Sequence, residues 1–346
     1  MVKSLSGLIG KRWISNYHED TKMHKLIIIG AGPAGMTAGV YAARKGLAPL
    51  VISEDIGGQA NWTKNVENYM GFTDIGGSEL MDRFKEHMDA QRLTYEARRV
   101  KAIRRGENGV GFVIQCDDGR EYQTRALIIA TGKRPRMLHV PGEAEFRGKG
   151  VSYCATCDAP LFRNANTAVI GGGNSGAQAA YDLLQLGADV HLITNENITA
   201  DRALVEKISA HPKLKIYEKH QVRRIDGGAM VEGITIADTS GTGGTGGADS
   251  TGGVGGPDAT AATEIRLPVA GVFVEIGLEP NSQILADISQ LNDDREIRVD
   301  CQCRTGVDGL FAAGDVTDVY GKQIIIAASE GAKAALAASE YLLYKA

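Results

Sequence analysis

The sequence predicts an α/β protein with two Rossmann-like, three-layer dinucleotide-binding domains, and three observations carry that prediction. An apolar run of strand length, Lys25 to Ile29, ends in Gly30-Ala31-Gly32-Pro33-Ala34-Gly35 and passes into an alanine-rich helical stretch, Met36 to Lys45. The pattern repeats further on, with the strand Thr167 to Ile170, the turn Gly171-Gly172-Gly173-Asn174-Ser175-Gly176 and the helix Ala177 to Leu186. One G-x-G-x-x-G is a weak signal; two, each set between a strand and a helix, imply two bound dinucleotides. Between them lies Ser152-Tyr153-Cys154-Ala155-Thr156-Cys157-Asp158, two cysteines separated by two residues, with an acid beside the second.

Composition fits this class and excludes others. At 346 residues the chain is long enough for about two domains. Its 43% hydrophobic and 23% charged residues are ordinary for a globular protein. A net charge of -4 gives no electrostatic case for nucleic acid or an anionic membrane as partner. No apolar run is long enough to span a bilayer. Five cysteines, an odd and irregularly spaced set, do not make a secreted disulfide framework and suit a reducing cytoplasm. Residues 1–24 carry too short an apolar run for a signal peptide and include Glu19 and Asp20, which a transit peptide would lack. They read as an N-terminal extension of unknown role.

In the first turn, Gly30 makes the tight bend, Gly32 lets backbone amides approach a pyrophosphate and Gly35 lets the helix pack on the strand. Gly30, Gly32, Pro33, Ala34 and Gly35 are therefore candidate cofactor contacts at the positive end of a helix. A strand from Pro49 to Ser53 leads to Glu54, about twenty residues on, where an acid accepts from ribose hydroxyls. Gly57-Gly58-Gln59 and Asn65 to Tyr69 read from composition as loop. A helix around Ser78 to Ala90, β structure near Val100 to Ile103 and Gly111 to Cys116, and a buried strand, Ala126 to Ala130, follow. That strand ends in Thr131-Gly132, small residues that permit close approach of a dinucleotide.

After the second turn, a strand from Asp189 to Ile193 ends in Thr194-Asn195-Glu196-Asn197. Recognition of a 2′-phosphate wants arginines there, whereas an acid favours a free ribose hydroxyl. No Arg or Lys occurs between His191 and Ala200, which leans toward NADH, although Arg202 stands just beyond. Residues 239–263 are almost wholly Gly, Thr, Ser, Ala and Asp, which predicts a mobile loop between the strands Val231 to Ile236 and Glu264 to Pro268. The run Val269 to Ile276 is again apolar. Leu310 to Asp315 is a strand closing on Gly314-Asp315, and Ile324 to Leu343 is a helix-forming tail.

The cysteine spacing lets both sulfurs fall on one side of a turn, as in a redox dithiol. It is also half of a zinc site, which usually needs a second cysteine pair. Cys301 and Cys303 are only one residue apart, Cys116 stands alone, and the seven histidines show no metal spacing. The redox reading is the stronger, and no metal is expected. Two dinucleotides and one CxxC together imply electron flow from a nicotinamide through a flavin to a disulfide, because a flavin takes an electron pair as hydride and passes it to sulfur.

The first Gly turn, Gly57-Gly58-Gln59, Val66-Glu67-Asn68, Ala130-Thr131-Gly132, Cys154 to Asp158, Gly171 to Gly176 and Gly314-Asp315-Val316 resemble, in combination and order, the low-molecular-weight thioredoxin reductases from about residue 25 to the C-terminus. The resemblance implies an FAD domain in two segments, 25–137 and 270–346, with the pyridine-nucleotide domain, 138–269, inserted between them and carrying the cysteines. It implies FAD contacts at Glu54, Gly58, Gln59, Asn68, Ala130, Thr131, Gly132, Gly314, Asp315, Gln323 and Ile324 besides the first turn. Nucleotide contacts are implied at Gly171, Gly173, Asn174, Ser175, Gly176 and Glu196. Cys157 is expected to face the flavin, Cys154 to attack a partner's disulfide and Asp158 to move protons, in a homodimer whose domains rotate.

The arginine clamp of the NADPH-using members is absent here. Gly173 to Gly176 and Lys322 to Ala327 are more similar to the flavoprotein component of alkyl hydroperoxide reductase, which uses NADH. That protein carries an N-terminal thioredoxin-like module, for which there is no room before Lys25, so the expected acceptor is a free thioredoxin-like protein. The alternatives are supply by ferredoxin, reduction of a peroxiredoxin system, and a non-catalytic flavin-dependent redox sensor.

Overall fold

The computed structural model describes residues 23–240, 263–285 and 288–345. The predicted extension, save Met23 and His24, and the glycine-rich segment, save its first two and last residues, lie outside the described residues.

The first apolar run forms β1 (Met23–Ala31), two residues earlier than the predicted domain start, because Met23 and His24 continue its parallel register with Gln123 and Thr124. The first Gly turn leads into α1 (Pro33–Arg44). Pro33 suits its first position, since the amide it lacks would have no partner in the helix. β2 (Leu50–Ile56) lies parallel to β1, and after α2 (Gly77–Ala90) the strand β3 (Thr94–Ala97) lies parallel to β2. The antiparallel β4 (Val100–Arg105), β5 (Phe112–Cys116) and β6 (Glu121–Ile129) follow, and β6 returns parallel to β1. Alternation along β1 sends Leu26 and Ile28 into the core beneath the helices, and Ile27 and Ile29 into a second core with Ile103, Phe112 and Ile114. A strand buried on both faces reads as an unbroken apolar run, which is why this one was visible in the sequence.

The chain leaves the first unit through β7 (Lys133–Pro135). The second unit contains β8 (Val151–Ser152), the short α3 (Ala155–Asp158), β9 (Asn166–Ile170), α4 (Asn174–Gln185) and β10 (Asp189–Ile193). Then come α5 (Arg202–Ser209), β11 (Leu214–Tyr217), and a three-stranded antiparallel sheet of β12 (His220–Gly227), β13 (Val231–Asp238) and β14 (Glu264–Leu267). β15 (Gly271–Val274) pairs in parallel with both β8 and β9, completing a sheet in the order β11-β10-β9-β15-β8.

That pairing corrects the predicted boundary at 269/270. Gly271–Val274 belongs to the second sheet, with Phe273 packed among Val169, Leu183 and Leu192, and the return begins after Val274. An apolar run shows that a strand is buried but not which sheet buries it. The return strand β16 (Leu278–Pro280) lies antiparallel to β7, so the two crossings between units run side by side. β17 (Leu310–Ala312) then pairs in parallel with β6, and α6 (Ile324–Tyr344) packs through small residues against α1. The result is a dinucleotide-binding unit made of two chain segments, with a second such unit inserted between them. Among the described residues, no helix is long and apolar enough to cross a membrane.

Candidate active site

Cys154 and Cys157 are joined in a disulfide with their Cα atoms 5.3 Å apart. Cys154 caps α3, and its Sγ accepts the Cys157 N–H at 3.2 Å. Ser152 braces the turn, its hydroxyl accepting the Cys154 N–H at 3.1 Å and donating to Asp158 Oδ2 at 2.6 Å. Burial pushes the Asp158 carboxyl above its ordinary range, and the Ser152 hydrogen bond only partly offsets this. A carboxyl so placed is fitted to hold a proton beside the sulfurs. Cys157 Sγ lies 4.0 Å from Gln323 Oε1, which accepts from Asn68 Nδ2 at 3.0 Å. Cys157 thus approaches the loops predicted to hold a flavin.

Those loops line a cavity of about 1000 Å³ that also holds Cys154, Cys157 and Asp158. Gly30, Gly32, Pro33 and Ala34 form part of its wall, as do Glu54, Gly58, Gln59, Asn68, Ala130, Thr131, Gly132, Gly314, Asp315, Gln323 and Ile324. Gly35 stands behind, where a Cβ would run into the Gly30 carbonyl, so α1 can approach the turn only through a glycine. Gln59 donates to the Lys133 carbonyl, and Thr131 exchanges hydrogen bonds with Asn281 at 2.8 Å each. Gly314 donates its N–H to Glu330 Oε2 at 2.8 Å. Burial raises the Asp315 carboxyl, with Lys322 and Lys133 pulling the other way. Glu54 is exposed at the rim, 3.8 Å from Arg99.

These residues fit an FAD. α1 begins without a side-chain cap and without an acid in its first turn, so its end amides are free for a pyrophosphate. A Cβ built on Gly32 would meet nothing within 4 Å, which leaves backbone open to a close-lying ligand.

The second turn has the same construction. Gly173 precedes α4 without a side-chain cap, there is no acid in the first turn, and Gly176 packs on Gly171 as Gly35 does on Gly30. Of the predicted nucleotide contacts, Ser175 lines the cavity shared with the cysteines, whereas Gly171, Gly173, Asn174, Gly176 and Glu196 do not. Asn174 Oδ1 is occupied by the Asp201 N–H at 2.7 Å, so its side chain holds the 194–201 loop against the turn. Glu196 is exposed on that loop. Arg202 is paired with Glu206 at 2.7 Å.

Several neighbours of the site gave little sign of themselves in the sequence. Lys133 and Glu296 form an enclosed ion pair that Lys322 joins at 3.4 Å. The Arg147 guanidinium lies 4.7 Å from the Trp62 ring of the first unit and 5.7 Å from the Tyr153 ring of the second. Glu275, at the end of β15, accepts the Ala155 N–H at 3.2 Å. An acid closing an apolar strand, the signal that marked Asp315, would have found it.

Residues 24–331 match the family described as pyridine nucleotide-disulphide oxidoreductase. The chain belongs to that family. As a pyridine nucleotide-disulphide oxidoreductase it is an enzyme of disulfide chemistry, and the cofactors are FAD and NAD(P)H. Its relatives include the F subunit of alkyl hydroperoxide reductase from Pseudomonas putida, 37% identical over 320 residues, which are 92% of this chain and 58% of that one. The NADH dehydrogenase of Bacillus subtilis (strain 168) is 36% identical over 325 residues, 94% of this chain and 60% of that one. The chain therefore spans less than two thirds of the length of these relatives. Thioredoxin reductase from Streptococcus pyogenes MGAS5005 has a similar structure, with a TM-score of 0.82 and 31% identity over 93% of this chain and 98% of that one.

Proposed function

We propose that this oxidoreductase takes electrons from NADH, passes them through FAD to Cys154–Cys157 and delivers them to the disulfide of a thioredoxin-like protein. The observation that carries the reading is the disulfide's position, in one cavity with the FAD loops and with Cys157 against Gln323. When bound, the nicotinamide supplies an electron pair and the flavin relays it to sulfur. Cys157 is the sulfur on the flavin side, Cys154 the one that attacks the partner, and Asp158 holds the proton needed when the bond opens. The α1 and α4 amides bind the two pyrophosphates, and Asp315 and Glu54 bind hydroxyls of the FAD.

NADH is favoured because the loop after β10 presents Glu196 and no basic residue, and Arg202 is engaged with Glu206. The disulfide helix and Ser175 line one cavity with the flavin loops, and Glu275 joins the helix to the second turn. A nicotinamide on that turn reaches the flavin only if the inserted unit rotates, with paired β7 and β16 as the hinge. The protein acts as a homodimer in the cytoplasm, where Cys116, Cys301 and Cys303 stay reduced. The similarity to the alkyl hydroperoxide reductase flavoprotein of Pseudomonas putida supports a second reading, in which the acceptor serves a peroxiredoxin.

The test is steady-state reduction of an oxidised thioredoxin by the FAD-loaded protein with NADH or NADPH. Turnover with a kcat/KM at least about tenfold higher for NADH is expected, from one to two lost charge-assisted contacts to a 2′-phosphate. Failure of both donors, with the flavin fully loaded, refutes the reading.

A further inference from the structure

Glu275 sits where the two functional turns meet, and the scheme above gives its carboxylate a structural contact but no part in proton or electron transfer. Its carbonyl accepts the Ser175 hydroxyl at 3.2 Å. The same carbonyl packs so tightly on Gly171 that a Cβ there would strike it. Its carboxylate binds a different element, Oε1 accepting the Ala155 N–H at 3.2 Å. Ala155 opens α3, and the first amides of a helix have no partner within it. The end of α3 therefore serves two acceptors, Glu275 through Ala155 and Cys154 Sγ through Cys157 at 3.2 Å. In the disulfide that sulfur is neutral. As a thiolate it would put a second negative charge on the same turn.

We infer that Glu275 is the positioning residue that ties the nucleotide turn to the redox helix, and that it takes up a proton as the disulfide opens. Reduction consumes one electron pair and breaks the Cys154–Cys157 bond. One sulfur takes a proton, the other remains a thiolate, and the neighbouring carboxylate takes a second proton from solvent. The surroundings suit this exchange. Burial raises the Glu275 carboxyl to about 7, against the weaker pull of the Ala155 amide and the Ser175 hydroxyl. Asp182 on α4 adds to the rise, Asp158 is the one carboxyl on α3, and no Lys or Arg is among the groups acting on Glu275.

The inference rests on Cys154–Cys157 being the redox pair, and the experiment keeps the two claims apart. The FAD-loaded full chain is equilibrated with a dithiothreitol redox couple from about pH 5.5 to about pH 8.5, and the Cys154 and Cys157 thiols are counted by alkylation. In the native protein the protons taken up per electron pair rise by one as the pH passes about 7, an extra tenfold in the equilibrium constant per pH unit, or about 30 mV. Glu275→Gln keeps an acceptor for Ala155 and removes the charge, so the break disappears; a merely structural role leaves it in place. Glu275→Asp retains the charge and retains the break. Superimposable profiles for the native protein and Glu275→Gln overturn the inference, as does loss of the break in FAD-loaded Glu275→Asp. A pair that never yields two thiols at any pH overturns the proposed function as well.

Discussion

The redox turn shows how burial and one hydrogen bond divide work among neighbouring side chains. Asp158 is held toward its protonated form beside sulfurs that need a proton, so Asp158→Asn should lower turnover at neutral pH by about 10²-fold while leaving FAD bound. Steady-state kinetics with a flavin spectrum check this; an unchanged kcat contradicts it. Glu275 gives a stability prediction whose sign follows from its raised pKa. The unfolded chain releases this proton near its ordinary value of about 4.3, whereas the folded chain keeps it to about 7. The folded state binds more protons in that window, so stability falls as pH rises through it and levels off above. Urea unfolding should show Glu275→Gln gaining on the native protein between those pH values by on the order of 1–3 kcal/mol, and a gain on acidification contradicts this. The cysteines and Asp158 were legible because their partners are adjacent in sequence. Lys133 and Asn281 were not, because theirs are 163 and 150 residues away.

Each Gly turn is a junction where helix, strand and ligand need the same space. Gly176→Val puts a side chain into the Gly171 carbonyl and should raise the apparent Kd for NADH at least about tenfold, with FAD retained. Gly35→Val should instead cost the FAD itself. Flavin content and nucleotide-driven bleaching separate the two variants, and loss of FAD in both would contradict independent sites. Most elements could be read from the chain because a buried parallel strand is continuously apolar and its helix starts at a glycine turn. β15 was visible as an apolar run but placed with the wrong unit, since its residues suit either sheet until pairing with β9 decides, and α5, β11 and β12 gave no comparable signal.

At the scale of the whole molecule, the two units touch through more than the hinge. Arg147 lies between Trp62 of one and Tyr153 of the other, and contacts of this kind contribute about 0.5–2 kcal/mol. Under the proposed rotation, Arg147→Leu should speed nucleotide-driven bleaching several-fold by weakening the closed arrangement, and should alter the emission of Trp62. Stopped-flow absorbance and fluorescence read both changes; unchanged rates contradict a latch. The insertion of one unit in the other followed from the resemblance rather than from any single residue, since a crossing such as β7 with β16 leaves no periodic trace. In the proposed route, electrons from a reduced nicotinamide reach Cys154–Cys157. The most direct measurement is anaerobic addition of NADH to the oxidised, FAD-loaded protein, followed by alkylation and mass determination. Labelling of both Cys154 and Cys157 is expected, with flavin reduction preceding it. A flavin that bleaches while both cysteines stay unlabelled contradicts that route.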